Sequence, residues 1–158
     1  MGVTKKFLNL FKSGKADGEG EREREFVRLR DQTVHYENFL TALSEGDLDD
    51  RWSAVRSVGD LGEPFIGPLI RGLNDEYWII RRGSADTLGK IGAPAVGPLI
   101  GAFQEPGDDV RQEIVRALQL IGEPAAGSLV QALKHNHPLI RRGAVLAMVI
   151  LCVNMGIA

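Results

Sequence analysis

Apolar positions in the middle of this chain recur with two periods at once. Within short stretches they fall three, four, seven and ten residues after an arginine. Ser84, Ala85, Leu88 and Ile91 stand in this relation to Arg81, which is the spacing of one helix face. Over longer stretches the whole pattern returns every 30 residues: Arg51, Arg81, Arg111 and Arg141 share that interval, as do Leu69, Leu99 and Leu129. So do Ile70, Ile100 and Val130, then Leu73, Phe103 and Leu133, and the pairs Gly62–Pro64, Gly92–Pro94 and Gly122–Pro124. A fixed period of this size means one supersecondary unit stacked on copies of itself.

Each unit reads as two helices. The glycine after the first helix supplies a left-handed C′ residue. The proline then opens the second helix at N1, where its missing N–H is harmless. The second helix carries Val96, Leu99, Ile100 and Phe103 on one side, and a short polar loop (Asn74, Asp75, Glu76) leads to the next unit. Small residues at Ala54, Ala85, Gly97 and Gly127 suit close helix approach. One such hairpin cannot bury its apolar stripe alone, whereas stacked hairpins share a continuous core. The expected units are 47–75, 76–106 and 107–136, with a partial fourth at 137–158.

The strings VRSVGDLGEPFIGPLIRGL, IRRGSADTLGKIGAPAVGPLIGAF and VRQEIVRALQLIGEPAAGSLVQAL resemble the HEAT-like repeats of the phycobilisome-lyase type, over about residues 45–150. The resemblance implies an all-α fold, a right-handed α-solenoid of stacked helical hairpins. It also implies that each arginine pairs with an acid six residues earlier: Glu45 for Arg51, Asp75 for Arg81, Glu105 for Arg111. At Arg141 the pattern breaks, because His135 stands in the acid's place. This column is expected to form an inter-repeat ladder of charge-assisted hydrogen bonds; the alternative is a basic strip for phosphate or carboxylate. Phycobilisome-lyase subunits attach or detach bilins on client cysteines. Nothing in these residues marks a bilin pocket, so a lyase-type subunit or chaperone-like component is the alternative to a non-catalytic scaffold.

The ends differ from the middle. Residues 1–20 set Lys5, Lys6, Lys12 and Lys15 around Phe7, Leu8, Leu10 and Phe11 before a glycine-rich link. This basic amphipathic segment suits an acidic membrane surface or a partner groove, or is a frayed terminus. Within the repeat domain 21–158, residues 21–44 read as one long charged helix. Its later part enters the register, with Phe39, Leu40 and Leu43 thirty before Leu69, Ile70 and Leu73. It is expected to cap the stack with a polar outer face. The stretch Gly143–Ala158 is uncharged and almost wholly apolar. It reads as a final helix with one side left open, as a surface for a second copy or another protein, or as a membrane anchor. As a helix it spans about 24 Å, short of a bilayer core of about 30 Å.

Composition narrows the function. The net charge of −2 divides into a basic amino end and an acidic remainder, which argues against a nucleic-acid groove. The single cysteine, Cys152, excludes an internal disulfide, and with no export signal the cytosol is the default compartment. His135 and His137 have metal-like spacing but no third ligand nearby, and no His-Glu dipeptide of the iron-binding HEAT-like hydroxylases occurs. Ser53, Ser57, Ser84 and Ser128 occupy positions that want a small residue. The acid pairs Asp49–Asp50 and Asp108–Asp109 precede first helices, where they favour the helix dipole. No catalytic, metal or cofactor residue is therefore assigned.

Departures from the repeat point to a partner. Trp52 stands in a column otherwise filled by Arg82, Gln112 and Arg142, and Tyr77 and Trp78 interrupt a polar loop. Tyr, Trp and Arg dominate binding hot spots, so Trp52, Tyr77, Trp78, Arg82 and Arg142 are the candidate protein-binding residues; for Trp52 the alternative is packing under the amino-terminal helix. The second helices offer a mixed polar face through Arg71, Gly101 and Gln131, with Asn74, Gln104 and Lys134 beside them. The expected partner is a protein of unknown identity, with the apolar last helix as the place for self-association.

Overall fold

A computed structural model describes residues 19–104 and 106–156. The basic segment at the amino terminus and Glu105 therefore fall outside the described residues. Among these, α1 (Glu19–Glu45) precedes three helix pairs: α2 (Leu48–Ser57) with α3 (Ile66–Gly72), α4 (Trp78–Ile91) with α5 (Val96–Gly101), and α6 (Asp108–Ile121) with α7 (Ala126–Ala132). The last element is α8 (Pro138–Asn154). No strand occurs among the described residues. The first helices α2, α4, α6 and α8 pack side by side in sequence order, and α3, α5 and α7 do the same in a second layer. This is an all-α solenoid.

The repeated apolar columns are the core between these layers. Leu69, Leu99 and Leu129 are fully buried, as are Val55 and Ala85 with Val115 close behind. Val58, Leu88 and Leu118 form a third buried column. Phe39 on α1 is buried too, thirty residues before Leu69, so α1 enters the stack in the register of a second helix. Its ring meets Phe65 edge to face at 5.4 Å between centroids, and Tyr36 lies 5.7 Å from the same ring. Phe65 is thus large where Ala95 and Ala125 suffice, because it fills the space beneath the cap.

The turn within each unit differs from the expected left-handed cap. Gly62, Gly92 and Gly122 have φ of 76°, 82° and 74°, but their ψ lies at −144°, −141° and −139°. A left-handed helical residue would have ψ near about +47°; this extended positive-φ region belongs to glycine alone. The proline does not open the second helix. It is the middle residue of a short 3-10 turn, as in Ala93–Ala95, closed by Ala95 N–H donating to the Gly92 carbonyl at 2.9 Å. The turn is closed by the Ala95 amide, so the N–H that Pro94 lacks is not required.

Helix starts follow local chemistry. Asp47 caps α2 by accepting a hydrogen bond from the Asp50 amide at 3.0 Å, with Asp49 and Asp50 in the first turn. Ser84 is fully buried on α4, against Gly72 of α3, where a Cβ would overlap its hydroxyl. Its role is spatial, since only a small side chain fits against Gly72 here.

Candidate functional site

The arginine column is tied down differently from the expectation. Each guanidinium reaches back to main-chain carbonyls of the loop before its helix. Arg51 Nε donates to Gly46 O at 3.0 Å, and Arg81 Nη1 to Asp75 O and Glu76 O at 2.9 and 3.0 Å. Arg111 Nη2 donates to Pro106 O at 3.3 Å, and Arg141 Nη1 to His135 O and Asn136 O, both at 2.8 Å. Glu105 lies outside the described residues, and neither of the other two acids six residues earlier gives its carboxylate. Glu45 is exposed, and Asp75 offers Arg81 only its carbonyl. Carboxylates come instead from further along the chain, at or just past the boundary with the following unit: Asp75 and Glu76 for Arg51 at 3.1 and 3.3 Å, and Asp109 for Arg81 at 3.4 Å. Arg111 pairs with Asp108 of its own first turn. A carbonyl is present whatever the side chain, which is why His135 serves before Arg141 as well as an acid would. The Arg51, Arg81 and Arg111 side chains are largely covered. Their donors are directed at the protein itself, and an outside anion would have to displace these contacts.

Two of the five candidate binding residues also serve the stack. The Trp52 indole lies against α4 at Gly83, where a Cβ would come within 2.6 Å of the ring, and Arg56 sits over its other side at 5.5 Å. Trp52 therefore packs onto the next unit, a half-buried joint rather than an exposed anchor or a support for α1. Arg82 occupies the equivalent slot one unit on and meets Glu113 at 3.8 Å. Glu113 in turn stands where the preceding unit has Gly83. Its Oε1 faces Arg82, while Oε2 is buried without a hydrogen bond.

Tyr77 and Trp78 remain at the surface. The loop before α4 is fixed by Asp75, whose Oδ1 accepts the Tyr77 N–H at 2.9 Å, and by the Arg51 guanidinium 5.7 Å from the Tyr77 ring. Trp78 opens α4 and is 68% exposed. Leu48, thirty residues earlier at the start of α2, is exposed as well. The loop edge of units one and two thus carries a rigidly based aromatic pair beside an aliphatic residue and Glu76. Arg142 is exposed on α8, two units further along, so it does not join this edge. The second-helix face keeps Arg71, Gly101, Gln131, Asn74, Gln104 and Lys134 exposed.

A groove of about 620 Å³ runs between α1 and the turn after α2, lined by Arg24, Arg28, Asp31, His35 and Asp60 among others. Its charges are mixed in sign, and it gathers no nucleophile with a base. His135 Nδ1 accepts the His137 N–H at 3.0 Å, closing a turn. Among the described residues no group of three His, Cys, Asp or Glu side chains could hold a metal ion, and no helix is long and apolar enough to cross a membrane. The last helix, expected from the sequence as the place for self-association, carries Val145, Leu146, Val149 and Val153 facing outward on α8, with Met155 exposed just beyond its end. The signal was present, since Val145 shares its column with Val55, Ala85 and Val115.

The family described as HEAT repeats matches residues 36–119 of the chain. No curated protein matches it significantly.

Proposed function

The chain belongs to the HEAT-repeat family, and from that premise we propose that it is a non-catalytic scaffold or adaptor that binds another protein. The observation that carries this reading is Trp78. The stack makes no use of it, yet it stands exposed on an ordered helix start beside Tyr77. Large aromatic side chains held in one orientation lose little entropy on binding and supply most of an interface's energy. Mixed polar second-helix columns add a rim suited to a protein segment rather than to a polyanion. The short repeat with its Gly-x-Pro turn supports the phycobilisome-lyase type as the subfamily. Work in the cytosol fits a chain whose described helices include no membrane span.

The test is affinity capture from the native cell with the wild-type chain and with Trp78→Ala, followed by photo-crosslinking from position 78. Loss of the same protein from the Trp78→Ala capture, together with its crosslink to position 78, supports the reading. Equal capture by both chains sinks the assignment of this edge. A bilin absorbing in the visible range on the purified chain would replace the scaffold by the lyase-type reading.

A further inference from the structure

We propose that α8 is a self-association face, through which two copies of the chain pair antiparallel about a twofold axis between Leu146 and Val149. The stack itself defines which side of a first helix receives the next unit. Trp52 meets Gly83, Val55 O accepts the Thr87 hydroxyl at 3.0 Å, and Gly59 faces Lys90 as Gly89 faces Leu120. Arg82 meets Glu113 from the same side. The corresponding residues of α8 are Arg142, Val145 and Val149. Val55, Ala85 and Val115 are buried in this column, whereas Val145 is 51% exposed and Val149 is 55% exposed. The α8 surface is therefore the same inter-unit interface, continued to a face that none of the described residues covers.

Its composition departs from that of the other units in the direction an interface requires. Where earlier units place Gly59, Gly89 and Gln119, α8 has Val149; where they place Arg56, Asp86 and Arg116, it has Leu146. Val153 replaces Glu63, Ala93 and Glu123. A repeat face left in water needs the opposite change, toward polar residues. At the other end of the stack α1 covers unit one through Tyr36 and Phe39. A head-to-tail arrangement would have to displace it, so a second copy meets α8 with α8, an isologous contact.

Charge selects the direction. From Gly143 to Asn154 the helix carries none; Arg142 stands at its front, while the neighbouring Arg141 is turned to the His135 and Asn136 carbonyls. Parallel pairing would bring the two Arg142 side chains together. Antiparallel pairing separates them by roughly 16 Å along the axis and sets each beside the last turn of the other helix, whose carbonyls form the negative end of the dipole. Each copy contributes a contiguous row of four outward aliphatic side chains, Val145, Leu146, Val149 and Val153, the kind of exposed apolar patch that marks an interaction site. A patch of this extent is smaller than a permanent complex needs, so the expected dimer is weak and reversible.

Sedimentation of the full chain over a rising micromolar series is expected to show monomer passing to dimer, and Val149→Glu to raise the dissociation constant at least tenfold with an unchanged melting curve. Should Val149→Glu lose helix content, Val153→Glu carries the same expectation at a more exposed position. Register is read in a Cys152→Ser background: mixing Leu146→Cys with Val149→Cys gives the mixed disulfide ahead of either symmetric one. A monomer at every concentration, a dimer indifferent to both glutamates, or symmetric disulfides forming first each overturns the proposal. Equal dimerisation by a chain lacking accessible Trp78 keeps this surface separate from the partner edge proposed above.

Discussion

Arg51 and Asp75 join units one and two through a contact of 3.1 Å between Nη1 and Oδ2, with the Asp75 side chain only 9% exposed. The aspartate is also bound on both its other sides. Its Oδ1 holds the Tyr77 amide and its carbonyl holds Arg81. One residue at the unit boundary therefore links the arginine of unit one, the loop between the units and the arginine of unit two. Asp75→Ala is expected to destabilise the fold by about 2 kcal/mol, because it leaves a covered guanidinium with only the exposed Glu76 carboxylate and frees the Tyr77 amide. Glu45→Ala, at an exposed site, stays within about 0.5 kcal/mol. Urea titration of the two variants checks the contrast.

Trp52 and Gly83 make a large-to-small joint that can be tested by coupling. Gly83→Val forces a side chain into the indole and is expected to cost about 2–3 kcal/mol. Trp52→Ala loses half-buried aromatic packing and costs a similar amount. The double variant should fall short of the sum by about 1 kcal/mol or more, since the valine then enters the vacated space. Strict additivity in denaturant unfolding would show that the two residues do not share this slot.

The two tryptophans should separate spectroscopically. In Trp52→Phe the remaining Trp78 is expected to emit at the red end of the tryptophan range and to be quenched strongly by acrylamide. In Trp78→Phe the emission shifts to the blue and quenching falls. Trp78→Ala should leave stability within about 0.5 kcal/mol, whatever it does to partner capture.

Gly92 and Gly97 make opposite demands on an added methyl group. At Gly92, φ of 82° strains any other residue, so Gly92→Ala is expected to cost about 1–3 kcal/mol. Gly97 lies in α5 with open space around its Cβ position. Gly97→Ala should be neutral or stabilise by about 0.5–1 kcal/mol, since alanine restricts the unfolded chain. Thermal melts of both variants give the sign.

Much of the fold was legible because the stack is built from columns, and columns are visible as equal intervals. The buried leucines at 69, 99 and 129, and the entry of Phe39 into their register, follow directly from spacing. What spacing hides is contact between columns. Arg51 finds its carboxylate at Asp75, 24 residues on, because stacking brings the next loop alongside; the sequence offers only Glu45 as a neighbour. Trp52 meets Gly83 at a 31-residue offset, which no single column displays. The glycine turns show a similar limit. Three glycines at one interval announce a positive φ, but ψ is set by the following 3-10 turn and cannot be read from residue type. The edge at Tyr77 and Trp78 was legible as a departure from the pattern. Arg142 shared a column with Trp52 and Arg82 but not a location with Trp78.

The joint between successive first helices has one further consequence. Trp52 against Gly83 and Arg82 against Glu113 are two different solutions to one slot, like locks cut for different keys. If unit one docked on unit three, the indole would meet a carboxylate, and Glu113 would lose its cation. Near-identical repeats invite such skipped assembly during folding. Here the order of the hairpins is written into the joints, so the chain has a chemical reason to reject its own permutations.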